Sequence, residues 1–340
     1  MKRDIKSMLP TELENYFESA GEQKFRGKQV FTWLHTGVNS FDDMTNISAL
    51  LRGKLDSEFF ISEPGLIEKI VSKIDGTTKF LISVQDDDMV ECVLMRYSHG
   101  NTICISSQAG CRMNCTFCAS SIDGFKRNLA PSEMLDQILF TQKLSGERVS
   151  NVVLMGIGEP LDNFENVMSF IELINHPAGV NIGARHITLS TCGLVENIDR
   201  LAEYDVQLTL AISLHAPDDE TRSELIPLNR EAGVDALFES AERYFRKTGR
   251  RVTYEYAMID GVNDTPHHAN LLSKRLKGTS SHLNLIRLSN VEERKFKASS
   301  EENIDKFISI LKRSGVNYTL RRSLGADIDA SCGQLRRRKM

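Results

Sequence analysis

The chain has 340 residues, 41% of them hydrophobic and 26% charged, with a formal net charge of -4. That balance excludes a disordered or fibrous chain, and the mild acidity argues against a uniformly basic nucleic-acid binder while leaving room for local basic patches. The opening MKRDIKSMLPTELENYF lacks the apolar run of a signal peptide, and no later run approaches the roughly 20 apolar residues of a spanning helix. A cytoplasmic protein with no membrane partner is expected.

Residues 1–60 read as helical. Leu13, Tyr16, Phe17 and Ala20 fall at helical spacing, and Val30, Phe31 and Leu34 start a second apolar stripe. This predicts a small accessory domain. Residues 61–98 read as a linker or small β region, with Asp75-Gly76 as a hairpin turn before Thr78-Lys79-Phe80-Leu81-Ile82.

Residues 99–340 form the predicted core domain. Six short apolar strands, at 102–107, 151–155, 186–190, 207–213, 251–257 and 282–288, alternate with amphipathic helices, and a further strand spans 317–322. Serial βα units imply an α/β fold with a parallel sheet, as a full or partial barrel whose chemistry gathers at the C-terminal strand ends. Pro131-Ser132-Glu133 opens one helix, and Ile304, Phe307, Ile308 and Leu311 give another its buried face before Gly315 ends it. There is no internal repeat.

The seven cysteines lie singly except for Cys111, Cys115 and Cys118, so thiolate chemistry is a better reading than a disulfide framework. Structural zinc wants four closed ligands, and an electron-transfer 4Fe-4S cluster normally takes four cysteines. Three thiolates leave one iron open. On spacing alone, three buried cysteines or a zinc knuckle completed by a distant His remain alternatives. Gly156-Ile157-Gly158-Glu159-Pro160 ends the second strand, where glycines permit close backbone approach and a carboxylate can accept from an ammonium group. A plain strand-to-helix turn would look the same.

In Thr102-Ile103-Cys104-Ile105-Ser106, alternation places Cys104 on the polar face opposite two isoleucines. Glu91 interrupts the apolar strand Val90-Glu91-Cys92-Val93-Leu94, where a carboxylate is paired, functional or at a solvated edge. Cys92 faces the other way. It and Cys192 read as structural.

The CxxxCxxC triplet, with an aromatic before its last Cys, resembles the radical SAM superfamily (SAM, S-adenosylmethionine). The likeness sharpens along nearly the whole chain: Phe25-Arg26-Gly27-Lys28-Gln29-Val30-Phe31, Ser106-Ser107-Gln108 before Gly110-Cys111, Met155 to Leu161, Ser190-Thr191, Ser213-Leu214-His215-Ala216, Gly261-Val262-Asn263-Asp264 and Cys332-Gly333-Gln334-Leu335. These motifs resemble the RlmN/Cfr family of RNA methyltransferases. The resemblance implies a radical SAM partial (β/α)6 barrel with a helical N-terminal domain, one 4Fe-4S cluster on Cys111, Cys115 and Cys118, and two SAM molecules per turnover. It implies SAM contacts from Gly158, Glu159, Ser190, Ser213, Leu214 and His215. The family's further SAM-contacting Asn falls where this chain has Ser289, with Asn290 next to it, so either supplies that contact.

By the same resemblance, Cys332 receives a methyl group from one SAM and gives up a hydrogen from it to the radical made from a second. The methylene radical then adds to adenine. Glu91 removes the proton from the substrate carbon, and Cys104 frees the product by forming a disulfide with Cys332. Carbon 2 of adenine is electron-poor and cannot attack a SAM methyl as a nucleophile, which is why a radical is needed. The implied targets are C2 of adenosine 2503 in 23S rRNA and of adenosine 37 in certain tRNAs; Pro160 favours this over the C8 position of the Cfr branch. Implied partners are 23S rRNA, tRNA and an electron donor such as flavodoxin or ferredoxin, with the enzyme a monomer.

Basic groups suited to phosphate occur at Lys24, Arg26 and Lys28 beside Trp33, at Lys126-Arg127, Arg250-Arg251 and Arg321-Arg322, and from Arg336 to Lys339. Each alone also fits a solvated surface. The target base must be unstacked, so a base-flipping pocket is expected. The rivals are a radical SAM enzyme acting on a protein or small molecule, which has no use for paired Cys104 and Cys332, and a metal-bound RNA-binding module, which wants a fourth ligand.

Overall fold

The computed structural model describes residues 2–336. Arg337, Arg338 and Lys339, which continue the basic run from Arg336, lie outside the described residues. Three helices open the chain: α1 (Pro10–Ser19), α2 (Phe25–His35) and α3 (Ala49–Glu58). Their apolar stripes meet in a core of their own that includes Leu13, Phe17, Val30, Phe31, Leu34, Leu51 and Leu55. α1 and α2 touch closely at Gly27, where a Cβ would lie 2.7 Å from the Glu14 backbone nitrogen.

Ten strands then form one sheet: β1 (Leu66–Val71), β2 (Thr78–Ser83), β3 (Met89–Tyr97), β4 (Gly100–Cys104), β5 (Val149–Leu154), β6 (Ile187–Thr191), β7 (Thr209–Ser213), β8 (Thr253–Met258), β9 (His282–Arg287) and β10 (Tyr318–Leu320). Their spatial order is their sequence order. β1 to β4 pair antiparallel, while β4 to β10 are all parallel. The six predicted βα strands and the strand after them are therefore present. Residues 66–97, read from sequence as a linker or small β region, extend the same sheet as three antiparallel strands.

The outer face of the sheet packs against helices α4 (Pro131–Ser145), α5 (Phe164–Asn175), α6 (Val195–Leu201), α7 (Asp219–Leu225), α8 (Asn229–Thr248), α9 (Pro266–Leu276) and α10 (Glu301–Arg313). Strand alternation sends Ile103, Val152, Leu189, Leu210, Ile212, Tyr254, Tyr256, Leu283 and Leu285 into that core. The opposite face takes the polar register: Ser213 pairs with Glu255, Glu255 with Asn284, and Asn284 with Thr319. The sheet thus keeps its polar side chains for the interior of a partial barrel.

The segment after β10 crosses back to the other end of the sheet. Gly325 N donates to Asp75 Oδ2 at 2.9 Å, and Lys73 N to Asp327 Oδ2 at 3.1 Å, both at the β1–β2 hairpin. It carries Cys332 into the barrel mouth. The helical module docks on α4 through the buried pair Lys6–Asp136 and on α5 through Leu173. No helix among the described residues is long and apolar enough to cross a membrane.

Candidate active site

The C-terminal strand ends surround an open cavity. It is lined by Cys111, Cys115 and Cys118, by Gly158 and Glu159 after β5, by Ser190 and Cys192 from β6 and its end, and by Ser213 and His215 at the end of β7. Glu255, Ser289, Arg321 and Cys332 complete the wall. Five separate sequence motifs therefore converge on one space.

The cluster loop hangs between β4 and α4. Its conformation depends on the glycines of the β5 end: a Cβ on Gly156 would lie 2.6 Å from Ile105 O, and one on Gly158 (φ +105°) 2.6 Å from Gln108 Cβ. These glycines let the chain end of β5 lie against residues 105–108. Gln108 Oε1 then accepts from Glu159 N at 2.9 Å, fixing the carboxylate beside the loop.

Burial and the neighbouring Cys118, Glu159 and Asp162 push the Cys111 thiol up to about 12, and burial with Cys118 and Cys111 raises Cys115 as well. Three crowded thiolates need a strongly cationic centre to exist there, which suits an iron cluster. Among the described residues no three His, Cys, Asp or Glu side chains converge as on a single ion. Cys111, Cys115 and Cys118, spread along one loop that lines the cavity, would instead hold a 4Fe-4S cluster. The donor set fits the cluster.

Glu159 is buried, with Oε1 accepting from Leu161 N at 3.0 Å and Oε2 from Cys192 N at 2.8 Å. Burial raises its carboxyl, and these backbone donors oppose the rise. His215 sits at φ +56° with Nδ1 accepting from Ala257 N at 2.9 Å. Burial and the Arg222 charge lower it to about 3, so the ring is neutral and its proton rides on Nε2. Its ring meets Phe117 edge-on, 4.9 Å between centroids.

Cys332 is exposed toward the cavity, and its loop is tied to the residues after Cys118. Ala119 N donates to Gly333 O at 2.8 Å, and Ser120 Oγ to Leu335 O at 2.7 Å. Burial in the cavity wall raises the Cys332 thiol, and the Arg321 guanidinium pulls it back. Cys104 is buried on the interior face with Val93, Val153 and Met155, its thiol pushed well up by burial and by Cys332. Cys332 and Cys104 are both free thiols.

Glu91 lies on the same interior face of β3. Its Oε1 is 3.4 Å from Lys79 Nζ, and its Oε2 accepts from Arg336 N at 2.9 Å. It is a buried, paired carboxylate and not a solvated edge residue. Cys92 points away into the helix-side core, 3.6 Å from Thr141 Oγ1.

Several expected contacts fall elsewhere. Leu214 is buried in the helix-side core and does not line the cavity. Ser289 lines the cavity, whereas Asn290 faces outward and its carbonyl accepts from Gln334 Nε2 at 2.9 Å. Cys192, read as structural, lines the cavity, and its N–H anchors Glu159. Lys126 and Arg127 are held by Asp88, Asp86 and Glu133 and form no open basic patch. Arg321 faces the cavity beside Glu255, and Arg250 donates to Leu208 O at the opposite end of the barrel. Lys24 pairs with Glu18, Arg26 donates to Asn46 O, and Trp33 Nε1 to Asn46 Oδ1, all on the exposed surface of the helical module.

Three residues of this centre gave no signal in sequence. Lys79 and Glu255 sit in strands and Arg222 in a short polar helix, and no motif or spacing singles them out. All three are buried.

A cluster-binding loop on a partial barrel, facing a glycine–glutamate strand end, defines a radical SAM enzyme, and residues 105–272 match the family model described as Radical SAM superfamily. Residues 4–61 match the Ribosomal RNA large subunit methyltransferase N-terminal domain. The probable dual-specificity RNA methyltransferase RlmN of Alkaliphilus oremlandii is 49% identical over 339 residues, covering 100% of this chain and 99% of the relative. The Clostridium perfringens (strain 13 / Type A) protein of the same description is also 49% identical, covering 98% and 97%. A crystal structure of a radical SAM methyltransferase from Sphaerobacter thermophilus superposes with a TM-score of 0.92 at 39% identity, over 98% of this chain and 99% of that one. The chain belongs to the RlmN family of radical SAM RNA methyltransferases.

Proposed function

We propose that this protein methylates C2 of adenosine 2503 in 23S rRNA and of adenosine 37 in certain tRNAs, using Cys332 as the carrier of the methyl group. The observation that carries the reading is that Cys332 shares one cavity with Cys111, Cys115 and Cys118. When bound, the 4Fe-4S cluster supplies the electron that cleaves SAM to a 5'-deoxyadenosyl radical.

The chain's own residues do the rest. Glu159 offers its remaining carboxylate lone pairs to the SAM ammonium, while Ser190, Ser213, Ser289 and the Nε2–H of His215 line the same wall as hydrogen-bonding partners. Cys332, exposed to the cavity, takes a methyl group from a first SAM by displacement. A second SAM provides the radical that removes hydrogen from that methyl, and the methylene adds to the base. Glu91, held beside the Cys332 loop by Arg336 N, takes the proton from the substrate carbon. The adduct radical gives up one electron to the reducing centre. The Cys104 thiolate then attacks the Cys332 sulfur, whose bond to the methylene breaks with its electron pair passing to carbon. That carbon takes a proton to leave the methylated base and a Cys104–Cys332 disulfide.

The helical module, residues 1–60, handles the RNA, with Lys28 and Trp33 on its exposed face. The enzyme works as a cytoplasmic monomer, with a small reductant of the flavodoxin or ferredoxin kind. Anaerobically reconstituted protein given reductant, SAM and a 23S rRNA fragment is expected to yield 2-methyladenosine by mass spectrometry. Product methylated only at C8 would move the assignment to the Cfr branch, and absence of SAM cleavage would sink the enzyme reading.

A further inference from the structure

Arg222 is one of the largest fully buried side chains in the molecule. It extends from α7 into the seam between two strand ends. Its Nε donates to Leu214 O at 3.0 Å, and Nη2 donates to Cys192 O at 2.6 Å and to Ser213 O at 3.1 Å. Nη1 donates to Asn229 Oδ1 at 2.7 Å. All four of these acceptors are neutral. The nearest carboxylate in this network, Asp219, is reached through Asn229, whose Nδ2 donates to Asp219 Oδ1 at 2.8 Å.

The carbonyls that Arg222 holds belong to the residues that shape the cavity. Cys192 presents its N–H to Glu159, Ser213 lines the wall, and Leu214 precedes His215. Gly193 (φ +110°) makes room: a Cβ there would lie 3.1 Å from Arg222 Nη2. The helix bearing Arg222 also grips the cluster loop, because Thr116 N donates to Leu225 O and Thr116 Oγ1 to Glu224 O, each at 2.9 Å. Cys115 packs with Cys192 and Leu225 in one apolar cluster. A buried cation therefore lies behind the apolar cluster that includes the middle cysteine of the triplet, and among the described residues no ion pair joins it to a carboxylate.

We propose that Arg222 is a positioning residue for the reducing centre: its guanidinium fork holds the ends of β6 and β7 in the register that binds SAM, and its charge raises the reduction potential of the cluster. The inference rests on the reading of Cys111, Cys115 and Cys118 as cluster ligands. Reduction adds negative charge to the cluster, and a fixed cation in a low-dielectric wall stabilises that state. The fork and the charge are separable, because lysine keeps the charge but cannot reproduce planar donation to carbonyls on two strands.

The test uses the full chain, reconstituted anaerobically, as parent, Arg222→Lys and Arg222→Met. Iron and sulfide content verify loading, electron paramagnetic resonance during redox titration reads the potential, and equilibrium binding reads the Kd for SAM. A parent that takes up no cluster or binds no SAM refutes the functional reading itself. With a loaded parent, Arg222→Lys is expected to keep the parent potential and weaken SAM about tenfold, the scale of losing one well-made buried hydrogen bond. Arg222→Met is expected to weaken SAM at least as much and to shift the potential to more negative values. A parent-like potential in Arg222→Met, an equal shift in both variants, or parent-like SAM affinity in both overturns the proposal. If Arg222→Met fails to fold or load, Arg222→Lys decides: weakened SAM with the parent potential supports the proposal, and unchanged SAM affinity overturns it.

Discussion

Lys79 Nζ and Glu91 Oε1 lie 3.4 Å apart on neighbouring strands, both side chains almost fully buried. The pair is tied to the loop that carries Cys332, since Lys79 also donates to Asp329 O at 3.1 Å and Glu91 accepts from Arg336 N. The segment after β10 thus ties the proposed base to the proposed methyl carrier. Glu91→Gln keeps the volume and the acceptor for Arg336 N but removes the basic oxygen. Turnover is expected to fall by about a hundredfold or more, the usual weight of a positioned base, with a covalent protein–RNA adduct accumulating on denaturing gels. Free product at the parent rate would remove the role. Glu91→Ala leaves Lys79 buried without that partner and is expected to cost about 3–5 kcal/mol of stability, read in thermal melts.

Cys104→Ala removes the thiol proposed to displace the product while leaving Cys332 and the cluster loop untouched. The site is small and apolar, sharing its cluster with Val93, Ile157, Ala330 and Leu335, so alanine fits there with a melting loss of about 1 kcal/mol. The expected outcome is an RNA adduct on Cys332 that peptide mass spectrometry locates. Normal release of methylated RNA by this variant would show that Cys104 serves only packing.

The sheet was legible because alternation and βα spacing are local signals: Ile103 and Ile105 face the helices, and Cys104 faces the interior, as the strand pattern requires. The helix starting at Pro131 was equally clear, since Glu133 accepts from Ala130 N at 2.8 Å in a local turn. Lys79, Arg222 and Glu255 were not legible. Their burial depends on partners 12, 30 and 66 residues away, at Glu91, Cys192 and Arg321, and no periodicity encodes such distant pairing. Lys126 and Arg127 failed for the same reason, because Asp88 and Glu133 neutralise them across the fold. The choice between Ser289 and Asn290 turned on which way a single loop residue faces, which only its tertiary setting decides.

Gly158 meets two demands at once. Its φ of +105° is disfavoured for any L side chain, and a Cβ would lie 2.6 Å from Gln108 Cβ, the side chain that holds Glu159 N. Gly158→Ala is expected to cost about 2–4 kcal/mol from strain and overpacking together. Because the displaced residue adjoins the cluster loop, iron content after reconstitution should fall along with the melting temperature. Parent-like iron content and SAM binding would show that the close approach to Gln108 is dispensable.

Acid should loosen the helical module from the barrel, and His35 is the reason. Its ring is buried at the contact with the segment after α5, where Nδ1 lies 3.4 Å from Val180 N and a Cβ on Gly179 would lie 2.5 Å from the same nitrogen. Burial, with His176 and Lys6 nearby, lowers it from 6.5 to about 3. A group whose folded value is depressed binds protons more readily when unfolded, so its contribution is present above 6.5 and is lost as pH falls toward about 3. The loss approaches roughly 1.4 kcal/mol per pH unit in that window. Asp136 acts in the opposite sense: its value is raised from 3.8 to about 6, so its contribution is present below 3.8 and lost as pH rises through about 6. The two are separated by comparing parent with His35→Gln, since Asp136 is common to both. Melting followed by circular dichroism across mildly acid pH should fall more steeply for the parent than for the variant, with hydrogen exchange rising first in α2. Parallel pH profiles for the two proteins would show that His35 is not the acid-sensitive group.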